Sequence, residues 1–176
     1  MSIPTLDTTI GGANANSYID LTAAETYFDS RLNSDAWTGA SADDKSRALL
    51  MAATQLQTRN WMGDRMTVTQ RLAWPRWGVY KVDSIGVSSY GYGALGWLYG
   101  DQYLPTEIPQ QVKDAQCELA IALLEGAAGG GEEAMASFTA DGLSVNFRNQ
   151  GPAGALPSRV SELLAGLTTG NRLIRG

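Results

Sequence analysis

Apolar residues recur at helical spacing near the start of the chain. Ala24, Phe28 and Leu32 follow one another at four-residue intervals, so they would lie on one face of a helix. Thr22 and Glu25 have the spacing of a capping box, in which the two side chains satisfy free amides at a helix start. The pattern predicts a helix from Thr22 to about Leu32 with one buried face.

A second helical pattern follows a stretch, 33–39, that has no helical period. Ser41 and Asp44 provide its start signal, and the helix is predicted to run to about Asn60. The apolar stripe is wide, so this helix is expected to pack on more than one side. The stripe is centred on Leu49, Ala53 and Leu56.

A third helix is predicted between Pro109, in its first turn, and Gly126, just past its end. Two apolar stripes cover this stretch, and its second half is therefore expected to be the most buried segment of the protein. The stripes consist of Ile108, Val112, Ala115, Leu119 and Ala122, and of Cys117, Ala120, Ile121 and Leu124.

The C-terminal part of the chain predicts a β-hairpin and a short helix. The stretch 137–147 predicts the hairpin, because Asp141 with Gly142 suits the tight turn and apolar and polar residues alternate over 143–148. A single hairpin is marginal in water, so it should pack on another surface. The short helix should start near Pro157, and the tail 168–176 has no means of forming a core.

Residues 61–105, between the second and third helices, show no sustained period and contain most of the tryptophan and tyrosine. A loop of this length in a small domain is normally functional or disordered. Exposed aromatic residues are typical contact anchors, which favours a binding role. The alternative is a lid folded over the protein's own core, and both interpretations stay open.

These elements predict a mainly α protein, a small helical bundle with a β-hairpin, a long aromatic loop and an extended C-terminal arm. The length of 176 residues fits one domain better than two. We expect a helical bundle domain at 1–126 that includes the loop 61–105, a linker and hairpin at 127–156, and a short helix and C-terminal arm at 157–176. The absence of a long apolar run or signal-peptide pattern predicts synthesis in the cytoplasm.

The titratable residues exclude most catalytic designs, because the chain has no histidine and only one cysteine, Cys117. A zinc site of the usual Cys and His ligands cannot form either. The acidic doublets at 43–44 and 132–133 lie at a helix start and a linker, where solvated acids are ordinary, and the glycine-rich stretch 127–133 lacks the lysine and hydroxyl of a phosphate loop. We expect no catalytic, metal or cofactor site and no enzyme; an enzyme using only Asp or Glu is the third alternative.

The charge balance disfavours tight, non-specific DNA binding. Thirteen basic and eighteen acidic residues give a net charge of -5. Proteins that bind nucleic acid usually have a basic face. The nearest candidates here are two sparse pairs, Arg71 with Arg76 and Arg172 with Arg175.

Three stretches together resemble a known family: 12–28 (GANANSYIDLTAAETYF), 71–76 (RLAWPR) and 108–124 (IPQQVKDAQCELAIALL). They are similar to small phage proteins commonly labelled DnaT-like single-stranded DNA-binding proteins, whose relatives are head-to-tail adaptors of tailed phages. The resemblance covers roughly the first two-thirds of the chain. The sequence departs from it at 82–103, where the relatives have a much shorter connection.

The resemblance implies an adaptor subunit of the head-to-tail connector in the virion. Its partners would be a homo-oligomeric ring, typically twelve-fold, the portal protein, and a tail or stopper protein, with genomic DNA passing through the channel without specific binding and no membrane contact. The expected portal-binding residues are Leu167, Arg172, Leu173, Ile174 and Arg175. The expected subunit or tail contacts are Trp74, Arg76, Trp77, Tyr90, Tyr92, Trp97, Tyr99, Asp141, Gly142 and Phe147.

The second interpretation takes the family label literally and makes the protein a single-stranded DNA binder. Bases would stack on exposed aromatic residues, which need not read the sequence. The missing basic groove weighs against this interpretation. The candidate stacking residues are Trp74, Trp77, Tyr90, Tyr92 and Trp97.

Overall fold

The computed structural model describes residues 4–81, 102–126, 137–140, 143–146 and 156–169. In this part of the chain the protein is mainly α, with two small antiparallel sheets of two strands each. The helices are α1 (Leu21–Asp29), α2 (Asp35–Thr38), α3 (Ala42–Leu56), α4 (Gln110–Leu124) and α5 (Ser158–Leu163). The strands are β1 (Asp64–Arg65), β2 (Arg76–Trp77), β3 (Ser137–Ala140) and β4 (Leu143–Asn146).

The start of α1 differs from the predicted capping box. The Asp20 carboxylate, and not the Thr22 hydroxyl, caps the helix by accepting a hydrogen bond from Ala23 N at 2.8 Å. The helix ends at Asp29, before Leu32 could join its apolar face. Leu32 is therefore 87% exposed, and its predicted burial is wrong.

The start of α3 confirms the predicted signal, because Ser41 Oγ accepts a hydrogen bond from Asp44 N at 3.2 Å. The helix ends at Leu56, before the predicted end at Asn60. The stretch without a helical period contains the short helix α2. Its Trp37 stacks on Phe28 of α1, with ring centroids 4.3 Å apart.

Helix α4 is the centre of the hydrophobic core. It follows Pro109 directly, and Gly126 just past its end has a φ of 74°, a conformation that glycine adopts without strain. It packs against α3 and α5, and more narrowly against α1 and α2. Its predicted deep burial is confirmed by the buried residues Val112, Ala115, Gln116, Cys117, Glu118, Leu119, Ala120, Ile121 and Ala122.

The short helix α5 begins after Pro157, as predicted, and buries Val160 against α4. The segment after α5 is tied to the chain that follows α3. Leu167 O accepts a hydrogen bond from Met62 N at 3.0 Å, and Thr169 N donates to Asn60 O at 2.8 Å. The segment 164–169, which follows α5, is thereby held against the core.

The predicted hairpin is confirmed in its strands. β3 and β4 pair antiparallel, with Ser137 opposite Asn146 and Ala140 opposite Leu143. The predicted contact residues Asp141, Gly142 and Phe147 lie outside the described residues, as do Tyr90, Tyr92, Trp97 and Tyr99. None of the helices in the described ranges has the length and apolar character needed to cross a membrane.

Candidate functional site

The three stretches that carry the family resemblance meet at a buried polar network. Tyr18 Oη accepts hydrogen bonds from Ala73 N at 3.1 Å and from Trp74 N at 3.4 Å. Gln116 Oε1 accepts from Tyr18 N at 2.9 Å, and Gln116 Nε2 donates to Ser17 Oγ at 2.7 Å. Because an unsatisfied buried polar group costs ~1–3 kcal/mol, this network fixes the segment before β2 on α4.

The segment fixed in this way leads into a short β-ribbon, formed by β1 and β2. Asp64 lies opposite Trp77, and Arg65 lies opposite Arg76. Gly63, just before β1, has a φ of 66°, and a Cβ there would meet the carbonyl oxygen of Trp77. The chain therefore needs glycine at this position to bring the two strands together.

The guanidinium of Arg76 fastens the ribbon to the preceding turn. Its Nε donates to Met62 O at 2.7 Å, its Nη1 donates to Ala73 O at 3.2 Å, and its Nη2 donates to Gly63 O. Burial lowers the pKa of this guanidinium, and the neighbouring charge of Arg65 lowers it further. All three nitrogens are engaged within the protein, so the predicted contact residue Arg76 mainly positions the ribbon.

The ribbon exposes an aromatic ring and a cation on its two opposite faces. The Trp77 side chain is 56% exposed, and Arg65 is also exposed. Successive strand residues point to opposite faces, so Trp77 shares a face with Asp64, and Arg65 shares the other face with Arg76. Arg65 forms no ion pair with any residue in the described ranges. A ring for stacking and a cation thus lie on one fixed element.

Trp74 does not belong to this surface. It is 1% exposed and makes edge-to-face contacts with Trp61 and Tyr103, at centroid distances of 5.9 and 5.7 Å. Its predicted role as a contact or stacking residue is wrong, because the indole fills the core beneath the ribbon. Trp74, Trp61 and Tyr103 thus form a buried aromatic cluster.

Leu167 is also buried, contrary to its predicted role as a docking residue. Its side chain is 1% exposed and packs in the core, so it cannot serve as a docking residue as predicted. The other residues predicted to bind a portal, Arg172, Leu173, Ile174 and Arg175, lie outside the described residues.

A buried ion cluster that was not predicted from the sequence surrounds Glu118 of α4. Its Oε1 accepts hydrogen bonds from Arg31 Nε at 2.8 Å and Tyr27 Oη at 2.6 Å, and it forms an ion pair with Arg159 Nε at 2.8 Å. Burial alone would raise the pKa of Glu118, but the hydrogen bonds from Arg31 and Tyr27 and the guanidinium charges hold it below its ordinary value. The cluster joins α1, α4 and α5. A glutamate inside the apolar run of 117–124 was the available signal.

Cys117, the single cysteine of the chain, is buried in α4. Burial raises the pKa of the Cys117 thiol to about 12, which keeps it protonated and a poor nucleophile. The part of the chain that the structure describes contains no cluster of three or more His, Cys, Asp or Glu side chains able to hold a metal ion.

Residues 5–176 match the family described as "Putative DnaT-like ssDNA binding protein". The chain belongs to this family. Neither a curated protein nor a solved structure matches it.

The family description corrects the leading interpretation of the sequence. The head-to-tail adaptor assignment is wrong, and so are the partners drawn from it: the twelve-fold ring, the portal protein, the tail or stopper protein, and DNA that passes without being bound. The description names single-stranded DNA, which is the ligand of the second interpretation.

Proposed function

We propose that the protein binds single-stranded DNA and that the β1–β2 ribbon is its contact surface. The observation that carries this proposal is Trp77, an exposed indole on a ribbon whose geometry is fixed by Arg76 and Gly63. Bases stack on such rings with ~1–3 kcal/mol of free energy each and with little sequence preference. The family description supports the class of ligand.

Arg65 and Asp64 orient the bound DNA strand on the ribbon. The exposed guanidinium of Arg65 attracts a phosphate, whereas the carboxylate of Asp64, on the same face as Trp77, repels one. The nucleotide therefore presents its base to the indole and keeps its backbone on the side of Arg65. This arrangement favours an unpaired base over a duplex, in which the base faces are already stacked.

The proposed binding relies more on stacking than on charge. With a net charge of -5, the protein as a whole repels DNA, and Arg65 is the exposed cation within the two strands of the ribbon. Each phosphate contact on a single strand contributes about -0.7 to the slope of log K against log salt. A shallow salt dependence follows from few such contacts.

In this proposal the protein acts by binding and not by catalysis. The chain has no histidine, the thiol of Cys117 is held protonated, and Glu118 is held in an ion cluster. The helices act as a small bundle that holds the ribbon rigid. Rigidity matters because an ordered surface loses less conformational entropy on binding.

Substitution of Trp77 tests the proposal. Trp77→Ala should weaken the binding of fluorescent oligo(dT) by about 10- to 100-fold, because it removes a stacked base worth ~1–3 kcal/mol. Trp77→Phe should retain most of the affinity. Met51→Ala, which truncates a side chain 53% exposed on α3, should leave it unchanged. Fluorescence anisotropy measures all four proteins; equal affinities, or equally tight binding of duplex DNA, would contradict the proposal.

A further inference from the structure

A cleft of 360 Å³ lies between the end of α3 and helix α5. Its volume is within the range of about 300–1,000 Å³ that small ligands occupy. Its lining combines the apolar side chains of Leu156 and Leu164 with Ser161 of α5 and with polar groups from two short segments of the chain, 58–60 and 168–169. The cleft is therefore large enough for a flat aromatic ligand with a polar edge.

Two of the three threonine hydroxyls of the cleft, those of Thr168 and Thr169, are arranged to accept hydrogen bonds. Thr58 Oγ1 donates to Gln55 O at 2.8 Å, Thr168 Oγ1 donates to Leu164 O at 3.3 Å, and Thr169 Oγ1 donates to Asn60 O at 3.1 Å. Each of these hydroxyl protons is thus already used. The lone pairs of Thr168 and Thr169 remain, whereas Thr58 Oγ1 also accepts from Arg59. The hydroxyls of Thr168 and Thr169 therefore suit a ligand that carries an amino group.

Asn60 adds a group that both donates and accepts. Its side chain is exposed, and its amide makes no hydrogen bond within the described part of the chain. The Arg59 guanidinium beside it donates to Thr58 Oγ1 through Nε and Nη2 and leaves Nη1 available. An asparagine amide whose oxygen and nitrogen are both available can pair bidentately with the amino group and ring nitrogen N7 of adenine.

The cleft and the ribbon are joined by a very short piece of chain. Asn60 and Gly63 are three residues apart, so their Cα atoms are separated by at most about 11 Å. Gly63 is in turn packed against the backbone of Trp77. A single DNA strand with one base stacked on Trp77 can therefore place the base of a nearby nucleotide in the cleft.

We infer that this cleft takes a purine base, adenine in particular, from the strand whose neighbouring base stacks on Trp77. Asn60 pairs with the N6 and N7 edge of the adenine ring, and Leu156, which is partly buried, lies against its face. Thymine has no amino group to donate to the hydroxyl lone pairs, so it fits less well. The inference rests on the proposed function and adds a sequence preference to it.

The test compares oligo(dT) with the same oligonucleotide carrying one or two central dA residues. Wild-type protein should bind the dA-containing strand about tenfold more tightly, the scale of discrimination that a bidentate contact gives. Asn60→Ala should lose this preference and keep the wild-type affinity for oligo(dT). Asn14→Ala, a matched change at an exposed asparagine in the N-terminal segment, should keep both.

The possible results separate the two proposals. If oligo(dT) binds and depends on Trp77, but dA gives no gain or the gain survives Asn60→Ala, the cleft is not a base site and only this inference is overturned. If no oligonucleotide binds, the proposed function fails and the inference fails with it. An adenine preference that Asn60→Ala removes supports both.

Discussion

Single residues decide the geometry of the β1–β2 ribbon, and Gly63 is the clearest case. Its φ of 66° is costly for other residues, and a Cβ at this position would meet the Trp77 carbonyl and lie 2.7 Å from Val79 Cγ2. Arg76 reinforces the same turn through the carbonyls of Met62 and Gly63. The exposed position of Trp77 therefore depends on a glycine that itself contacts no ligand.

Gly63→Ala should lower the free energy of unfolding by ~1–3 kcal/mol and weaken oligo(dT) binding, because the backbone strain adds to the clash with β2. Gly126→Ala is the matched control, since Gly126 has a similar φ of 74° but nothing within 4 Å of the added Cβ. The Gly126→Ala variant should lose stability through backbone strain and keep its affinity for DNA. Urea unfolding and fluorescence anisotropy measure the two effects. Equal losses of affinity in both variants would show that the contact with Trp77 is unimportant.

At the scale of elements, the ion cluster of Glu118 links α1 and α5 to α4. Glu118 is buried, Arg31 is partly exposed and Arg159 is exposed. The three helices are thus joined by hydrogen bonds and ion pairs as well as by their buried apolar residues. The carboxylate must be ionised to accept all of its hydrogen bonds.

The cluster makes stability depend on pH in the acid range. The pKa of Glu118 is lower in the folded protein than its ordinary value of 4.5, so its contribution is present above that pH and is lost as the pH falls through the folded value. Glu118→Gln should cost ~1–3 kcal/mol at pH 7, and the difference from wild type should shrink below pH 4.5. Glu162→Gln, an exposed change on α5, is the control. A difference in urea midpoint that stays constant down to pH 3 would contradict this assignment.

Some helix ends could be predicted from the sequence, but the ribbon could not. The start of α3 and the end of α4 follow from local signals, Ser41 and Gly126, which act within one turn. The ribbon could not be predicted, because its supporting contacts join residues far apart in the chain: Tyr18 N and Gln116 Oε1 are 98 positions apart. Trp74 and Trp77 look alike in sequence, and only the tertiary contacts place one in the core and the other at the surface.

At the scale of the whole molecule, charge opposes the proposed ligand. The net charge of -5 means that long-range electrostatics slow the approach of DNA and that high salt screens the repulsion. Counterion release at Arg65 acts in the opposite direction, because salt weakens each phosphate contact. The two effects together predict a shallow slope of log K against log salt. For a single phosphate contact the magnitude of this slope should be about 0.7 or less.

Removing Arg65 separates these two effects. Arg65→Ala should flatten the slope by about 0.7 or reverse its sign, because the phosphate contact is lost and only the repulsion remains. Lys113→Ala gives the same change in net charge from a groove beside α1, so it should change the affinity slightly and keep the slope. Anisotropy titrations with oligo(dT) from low to moderate salt measure both variants. Equal slopes for Arg65→Ala and Lys113→Ala would mean that the overall charge governs binding; a steep slope in the wild type would place more phosphate contacts on the protein than the ribbon provides.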